Sequence, residues 1–203
     1  MYKRQVRNQV VIALNQAYET SIPNMSEMGM HGKTAIVIDS SGSMTRTIML
    51  ANKRAGSRSA FQKGALIGAT FAKGLNADLF HFADTCVQIN YNPLDSIHTI
   101  SKSVEVLQGS VGYGTAFNSI SKLVKGYDRV FIISDMQGRD NVMTSFGNSH
   151  VYCINIVGYG TTVIKPNSKV YQLFGYSSEM YELAKKVEID PKVILKAIED
   201  IRI

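Results

Sequence analysis

The chain has 203 residues, 45% of them hydrophobic and 19% charged, a normal globular balance that can bury a sizeable core within one domain. Its formal net charge of +6 allows a nucleic-acid or acidic partner without requiring one. No stretch reaches the roughly 18 apolar residues of a membrane span, and Cys86 and Cys153 stand apart from any clustered His or Cys, so a zinc site is excluded and free thiols in a reducing compartment are expected.

Taken in order, Val6, Val10, Leu14, Ala17 and Tyr18 recur at helical spacing and predict an amphipathic helix over about residues 4–20. The start Met1-Tyr2-Lys3-Arg4-Gln5 leads into an apolar run broken by Gln9 and Asn15, which is not a signal peptide. A cytoplasmic protein with no membrane partner is therefore expected. Pro23 and Gly29 then break the pattern, so residues 1–30 read as a lead-in helix and connector to a single domain filling 1–203.

Beyond the connector, Thr34–Ile38 predicts a strand and Ser59–Leu75 a helix. Asp78–Phe82 and Cys86–Ile89 read as two short strands joined by Ala83-Asp84-Thr85. Ile97–Leu107 and Phe117–Val124 suit helices, and Arg129–Ile133 and Val151–Val157 are apolar runs of a length that fits strands covered on both faces. Ser177 or Ser178 can cap a helix carrying Met180, Leu183, Ala184 and Val187. Asp190-Pro191 restarts a last helix with Val193, Ile194, Ala197, Ile198 and Ile201 on one stripe. Such alternation predicts a mostly parallel sheet with helices on both sides.

The string Ile36-Val37-Ile38-Asp39-Ser40-Ser41-Gly42-Ser43 ends an apolar strand in a carboxylate and then places hydroxyls at every second position. Asp39, Ser41 and Ser43 can therefore face one point at the carboxyl edge of the sheet, where open α/β sheets build their sites. Carboxylate and hydroxyl oxygens suit Mg²⁺, a hard ion that takes six oxygens, some from water. Alone, such a string is also what an ordinary turn contains. Two further signals join it: Gly112-Tyr113-Gly114-Thr115 directly before a helix, and Ser134-Asp135 at the end of a second strand.

Together these motifs resemble the metal-ion-dependent adhesion site of a von Willebrand factor A domain, over nearly the whole chain. The resemblance implies a doubly wound α/β fold. It would have a mostly parallel six-stranded sheet, one short antiparallel edge strand and helices on both faces. It further implies that Asp39, Ser41, Ser43, Thr115 and Asp135 hold Mg²⁺ (or Mn²⁺ or Ca²⁺), some through water, and leave one position for a partner's acidic group. Within that superfamily the chain is most similar to the C-terminal domain of Ro autoantigen (TROVE) ribonucleoproteins. The residues concerned are the Gly32-Lys33 link, Phe80-His81-Phe82-Ala83-Asp84 and Leu173-Phe174-Gly175-Tyr176. This likeness implies RNA as a partner through an associated helical-repeat domain. The departure is Ala116, where many relatives carry Asp or Asn, so Thr115 lacks a supporting partner.

Arg46, Lys53, Arg54 and Arg58 lie between the first metal loop and the next helix, either as a solvated loop or as a basic rim for RNA or an acidic partner. Lys3, Arg4 and Arg7 can add to a basic face. Tyr113 suits ligand contact and packing equally, Asp84 reads as a turn residue rather than a support for the metal rim, and His31, His81, His98 and His150 are not spaced as ligands. A non-catalytic binding module is expected, either Ro-like or a stand-alone assembly scaffold. Aspartyl phosphotransfer needs a second carboxylate two residues after the first, and Ser41 stands there.

Overall fold

Six apolar or half-apolar segments pair into one sheet: β1 (Thr34–Asp39), β2 (Asp78–Phe82), β3 (Cys86–Ile89), β4 (Arg129–Ser134), β5 (His150–Asn155) and β6 (Val170–Phe174). The computed structural model describes residues 30–45, 58–138, 146–160, 162–177 and 179–190, with 9–10, 12–13, 16–17, 19–20 and 192–193 beside them. The strand order is β3-β2-β1-β4-β5-β6. β3 runs antiparallel to β2 at one edge, and every other pairing is parallel.

Every residue of β1 and β4 is buried, as central strands covered on both faces must be. Alternate side chains divide between two cores. Ile36, Ile38, Phe131, Ile133, Tyr152 and Ile154 meet α1 (Ala60–Gly74), α2 (Ile97–Glu105) and α4 (Glu179–Ile189) on one face. Ala35, Val37, Val130, Ile132 and Cys153 meet Phe117 and Ile120 of α3 (Phe117–Leu123) on the other. The doubly wound fold class is as expected.

Local sequence explains the helix starts. Ser59 accepts the Gln62 N–H at 3.1 Å while the Gln62 side chain accepts the Ser59 N–H at 2.9 Å, a reciprocal cap that begins α1. Ser96 caps α2 by accepting the Thr99 N–H. Ala116 precedes α3 with no side-chain cap. Along α1, Gly64 and Gly68 let the helix lie close to the sheet, and a Cβ built at Gly68 would fall on the Ile38 side chain.

The described positions between 9 and 20 are helical, in line with the expected lead-in helix. Glu19 there accepts the Ile97 N–H at 2.6 Å and pairs with Lys73 at 2.8 Å, which ties this helix to α1 and α2. The connector through residue 29 and the last helix beyond 193 lie outside the described residues. Lys192 nonetheless donates its N–H to Asp190 Oδ1, as expected of a cap. β5 ends at Asn155 rather than Val157, because the Asn155 side chain accepts the Val157 and Gly158 N–H groups and turns the chain. β6 is the strand that no segment of the sequence reading located.

At the amino-terminal edge of the sheet, Arg129 is buried. It donates to both Glu188 oxygens on α4 at 2.8 and 2.5 Å, to Thr34 Oγ1 at 3.0 Å and to the His31 carbonyl at 2.8 Å. Tyr152 adds a hydroxyl bond to Glu188 at 3.1 Å.

Candidate metal centre

The chain runs outward from β1 through β2 to β3 and then returns to β4 on the other side of β1, so β1 and β4 flank the crevice where the sheet changes direction. Asp39 ends β1 in that crevice and is fully buried. Its Oδ1 accepts the Ser41 N–H at 2.8 Å, and its Oδ2 accepts the Ser134 hydroxyl of β4 at 2.5 Å. A short 3₁₀ turn over Gly42–Thr45 follows, anchored by the buried Met44. The Ser41 and Ser43 hydroxyls lie 3.2 Å apart at its start.

Asp135 leaves β4 almost fully buried, with Oδ1 accepting the Gln137 N–H at 3.0 Å. Between them Met136 adopts φ +56°, a left-handed conformation uncommon for a bulky residue, and its N–H donates to Ser134 Oγ at 2.9 Å. Ser134 thus ties the two acidic strand ends together, a role the sequence reading did not assign although the Ser134-Asp135 string was noted.

Thr115, half-buried, lies on a loop tied to the first one: the Gly42 N–H donates to the Tyr113 carbonyl at 2.9 Å. From the other side the β2–β3 turn grips the same loop. Asp84 Oδ2 accepts the Tyr113 N–H at 3.2 Å, the Asp84 N–H donates to the Val111 carbonyl, and the Ala116 N–H donates to the Ala83 carbonyl at 2.7 Å. Asp84 does sit in the turn, which closes through the Ala83 N–H and the Thr85 carbonyl. The expected turn role holds, and the carboxylate bonds the Thr115 loop at Tyr113 in addition.

Burial pushes the Asp39 carboxyl up from 3.8 to about 6, against the lowering effect of the Ser134 and Ser41 hydrogen bonds, and the nearby charge of Asp135 raises it further. Among the described residues neither carboxylate is paired with a basic side chain. Two buried carboxylates on adjacent strand ends are unfavourable without a compensating cation. The donors present are all hard oxygens, the set that Mg²⁺, Mn²⁺ and Ca²⁺ take, and with two carboxylates the site depends on hydroxyls, since among the described residues no three His, Cys, Asp or Glu side chains gather where they could hold a metal ion. A carboxylate oxygen has two lone pairs, so the bonds from Ser41 and Ser134 leave Asp39 capacity for an ion or its water.

Of the predicted rim, Arg58 is exposed just before α1, while Arg46, Lys53 and Arg54 lie outside the described residues, as do Lys3, Arg4 and Arg7. Tyr113 is 66% exposed beside the first loop. His81 is buried against Ser40, and burial lowers its pKa and that of His150. Cys86 and Cys153 are unpaired and buried, and burial raises each thiol to about 12, which leaves them unreactive.

No family model matches the chain, and no curated protein sequence matches it. Among solved structures, the Ro (RSR) protein of Deinococcus radiodurans is similar with a TM-score of 0.53 at 11% identity, over 76% of this chain. This chain spans 34% of that protein's length. An aerotolerance-related membrane protein from Bacteroides fragilis gives 0.47 at 13% identity, over 77% of this chain and 96% of that one. BatB from Bacteroides thetaiotaomicron gives 0.48 at 12%, over 79% and 98%. At such identities the likeness concerns the fold alone, which is α/β of the von Willebrand factor A, Rossmann-like kind. Among the described residues no helix is long and apolar enough to cross a membrane.

Proposed function

We propose that this chain is a non-catalytic, Mg²⁺-dependent binding module in which Asp39, Ser41, Ser43, Thr115 and Asp135 hold the ion, directly or through water. The observation that carries the reading is the pair of buried carboxylates, Asp39 and Asp135, with no cationic partner among the described residues and hydroxyls gathered beside them. A bound divalent ion supplies the missing positive charge and an electrophilic position for an incoming oxygen. That oxygen belongs to a carboxylate of an acidic protein partner, which the net charge of +6 draws in. The absence of a carboxylate at Ser41, two residues beyond Asp39, argues against phosphotransfer.

Titration calorimetry tests the reading. Wild type should bind Mg²⁺ and Mn²⁺, and Asp39→Ala should bind neither. Wild type without heat of binding, or Asp39→Ala with unchanged affinity, would overturn it. The basic charge and the exposed Arg58 just before α1 favour a second reading, in which an RNA phosphate supplies the oxygen, as the Ro-type sequence resemblance implies. In that case filter binding to RNA should be metal-dependent and weaken steeply with salt.

A further inference from the structure

We infer that Asp84 is the positioning residue of the Thr115 loop and that it sets the preference of the site for Mg²⁺ over Ca²⁺. The inference rests on the metal reading above. Tyr113 is held on both sides of its own backbone, its N–H by Asp84 Oδ2 at 3.2 Å and its carbonyl by Gly42 of the first metal loop at 2.9 Å. Three residues on, the Ala116 N–H is held by the carbonyl next to Asp84, at 2.7 Å. Thr115 lies between these fixed points.

The carboxylate also fills the space under the loop. A Cβ built at Gly112 or at Gly114 would fall on the Asp84 carboxylate, and Gly112 has φ +92° besides. The glycines that flank Tyr113 are therefore there to let the backbone lie directly on Asp84, and the loop has no slack towards the β2–β3 turn. The turn itself does not need the carboxylate, since it closes through the Ala83 N–H and Thr85 carbonyl at 3.0 Å.

Rigidity of this kind discriminates between ions. Mg²⁺ demands near-octahedral geometry at short distances, whereas Ca²⁺ accepts longer bonds and irregular shells. A Thr115 hydroxyl held in place favours the smaller ion, and a loosened loop lets the larger one compete. Ala116 offers no side-chain bond at the start of α3, where Ser119 Oγ donates to the Ala116 carbonyl, and Asp84 is the side chain that holds the loop at Tyr113.

The test compares Mg²⁺ and Ca²⁺ affinities by calorimetry for wild type, Asp84→Ala and Asp84→Asn. Asp84→Ala keeps all three backbone bonds of the clamp, so its thermal unfolding reports whether the fold survives. Its Mg²⁺ affinity should fall about 10- to 100-fold, as for loss of a residue that orients a ligand. Its Ca²⁺ affinity should fall several times less, so that the selectivity ratio drops. Asp84→Asn keeps an acceptor for the Tyr113 N–H and should restore most of the ratio. In metal-free protein, amide exchange at Tyr113 and Ala116 should accelerate in Asp84→Ala. An unchanged Mg²⁺/Ca²⁺ ratio in Asp84→Ala, or no rescue by Asp84→Asn, overturns the inference while leaving the metal site standing. Wild type that binds neither ion overturns the metal reading and this inference together.

Discussion

Asp39 is the residue on which the proposed metal site depends, and its buried carboxylate burdens the fold when no cation is bound. Its carboxyl is raised from 3.8 to about 6, chiefly by burial, so between those values the folded chain holds a proton that the unfolded chain has released. Stability from this group is complete below about pH 4 and is lost as pH rises through 6, a change of about 3 kcal/mol. In chelator, urea unfolding of wild type should therefore show lower stability at pH 7.5 than at pH 5. Asp39→Asn should flatten that dependence and be the more stable protein by about 2 kcal/mol at pH 7.5. An equal pH response in the two proteins would contradict the assignment. At this scale much of the site was legible, because a carboxylate followed by alternating hydroxyls at a strand end is a local pattern. Asp84 was not, because its task is set by a loop 29 positions away whose backbone shape no spacing rule reveals.

Helix α1 lies against the strand that delivers Asp39, and its two glycines make separable predictions. Alanine at Gly64 would meet its nearest neighbour at 3.5 Å, an ordinary contact. Gly64→Ala should therefore stabilise by about 0.5–1 kcal/mol through helix propensity. Alanine at Gly68 would strike the Ile38 side chain, next to Asp39. Gly68→Ala should destabilise by about 1 kcal/mol or more, since overpacking outweighs propensity. Ile38→Val removes the δ-carbon but keeps the γ-carbon at 2.7 Å, so it should recover only part of that loss in the double variant, as read from chemical denaturation. The ends of α1 were readable from Ser59 and the apolar spacing that follows. β6 was not, because Tyr171 and Gln172 are half-buried and Phe174 is exposed, so this edge strand lacks the apolar run that betrayed β1 and β4.

The whole molecule is stapled at the sheet edge opposite Asp39 and Asp135, where Arg129 joins α4 to the two central strands through Glu188 and Thr34. With the Arg129 side chain 3% and Glu188 18% exposed, solvent screens this pair little. Glu188→Ala strands a buried guanidinium and should cost about 3 kcal/mol, whereas Arg129→Met with Glu188→Met should regain most of it. Equal losses in the single and double variants would show that the pair is not what holds α4. The parallel order of strands was legible from alternation, but this ion pair between residues 59 positions apart was not. A larger separation shapes how the site comes into being. Asp39 and Ser134 bond across 95 positions, so the two carboxylates meet only after β1 has paired with β4, a long-range closure. On the proposed function, Mg²⁺ arrives too late to guide folding and acts as a lock on the finished state. Refolding rates should be indifferent to Mg²⁺, while at about 100 times the dissociation constant unfolding should slow about a hundredfold.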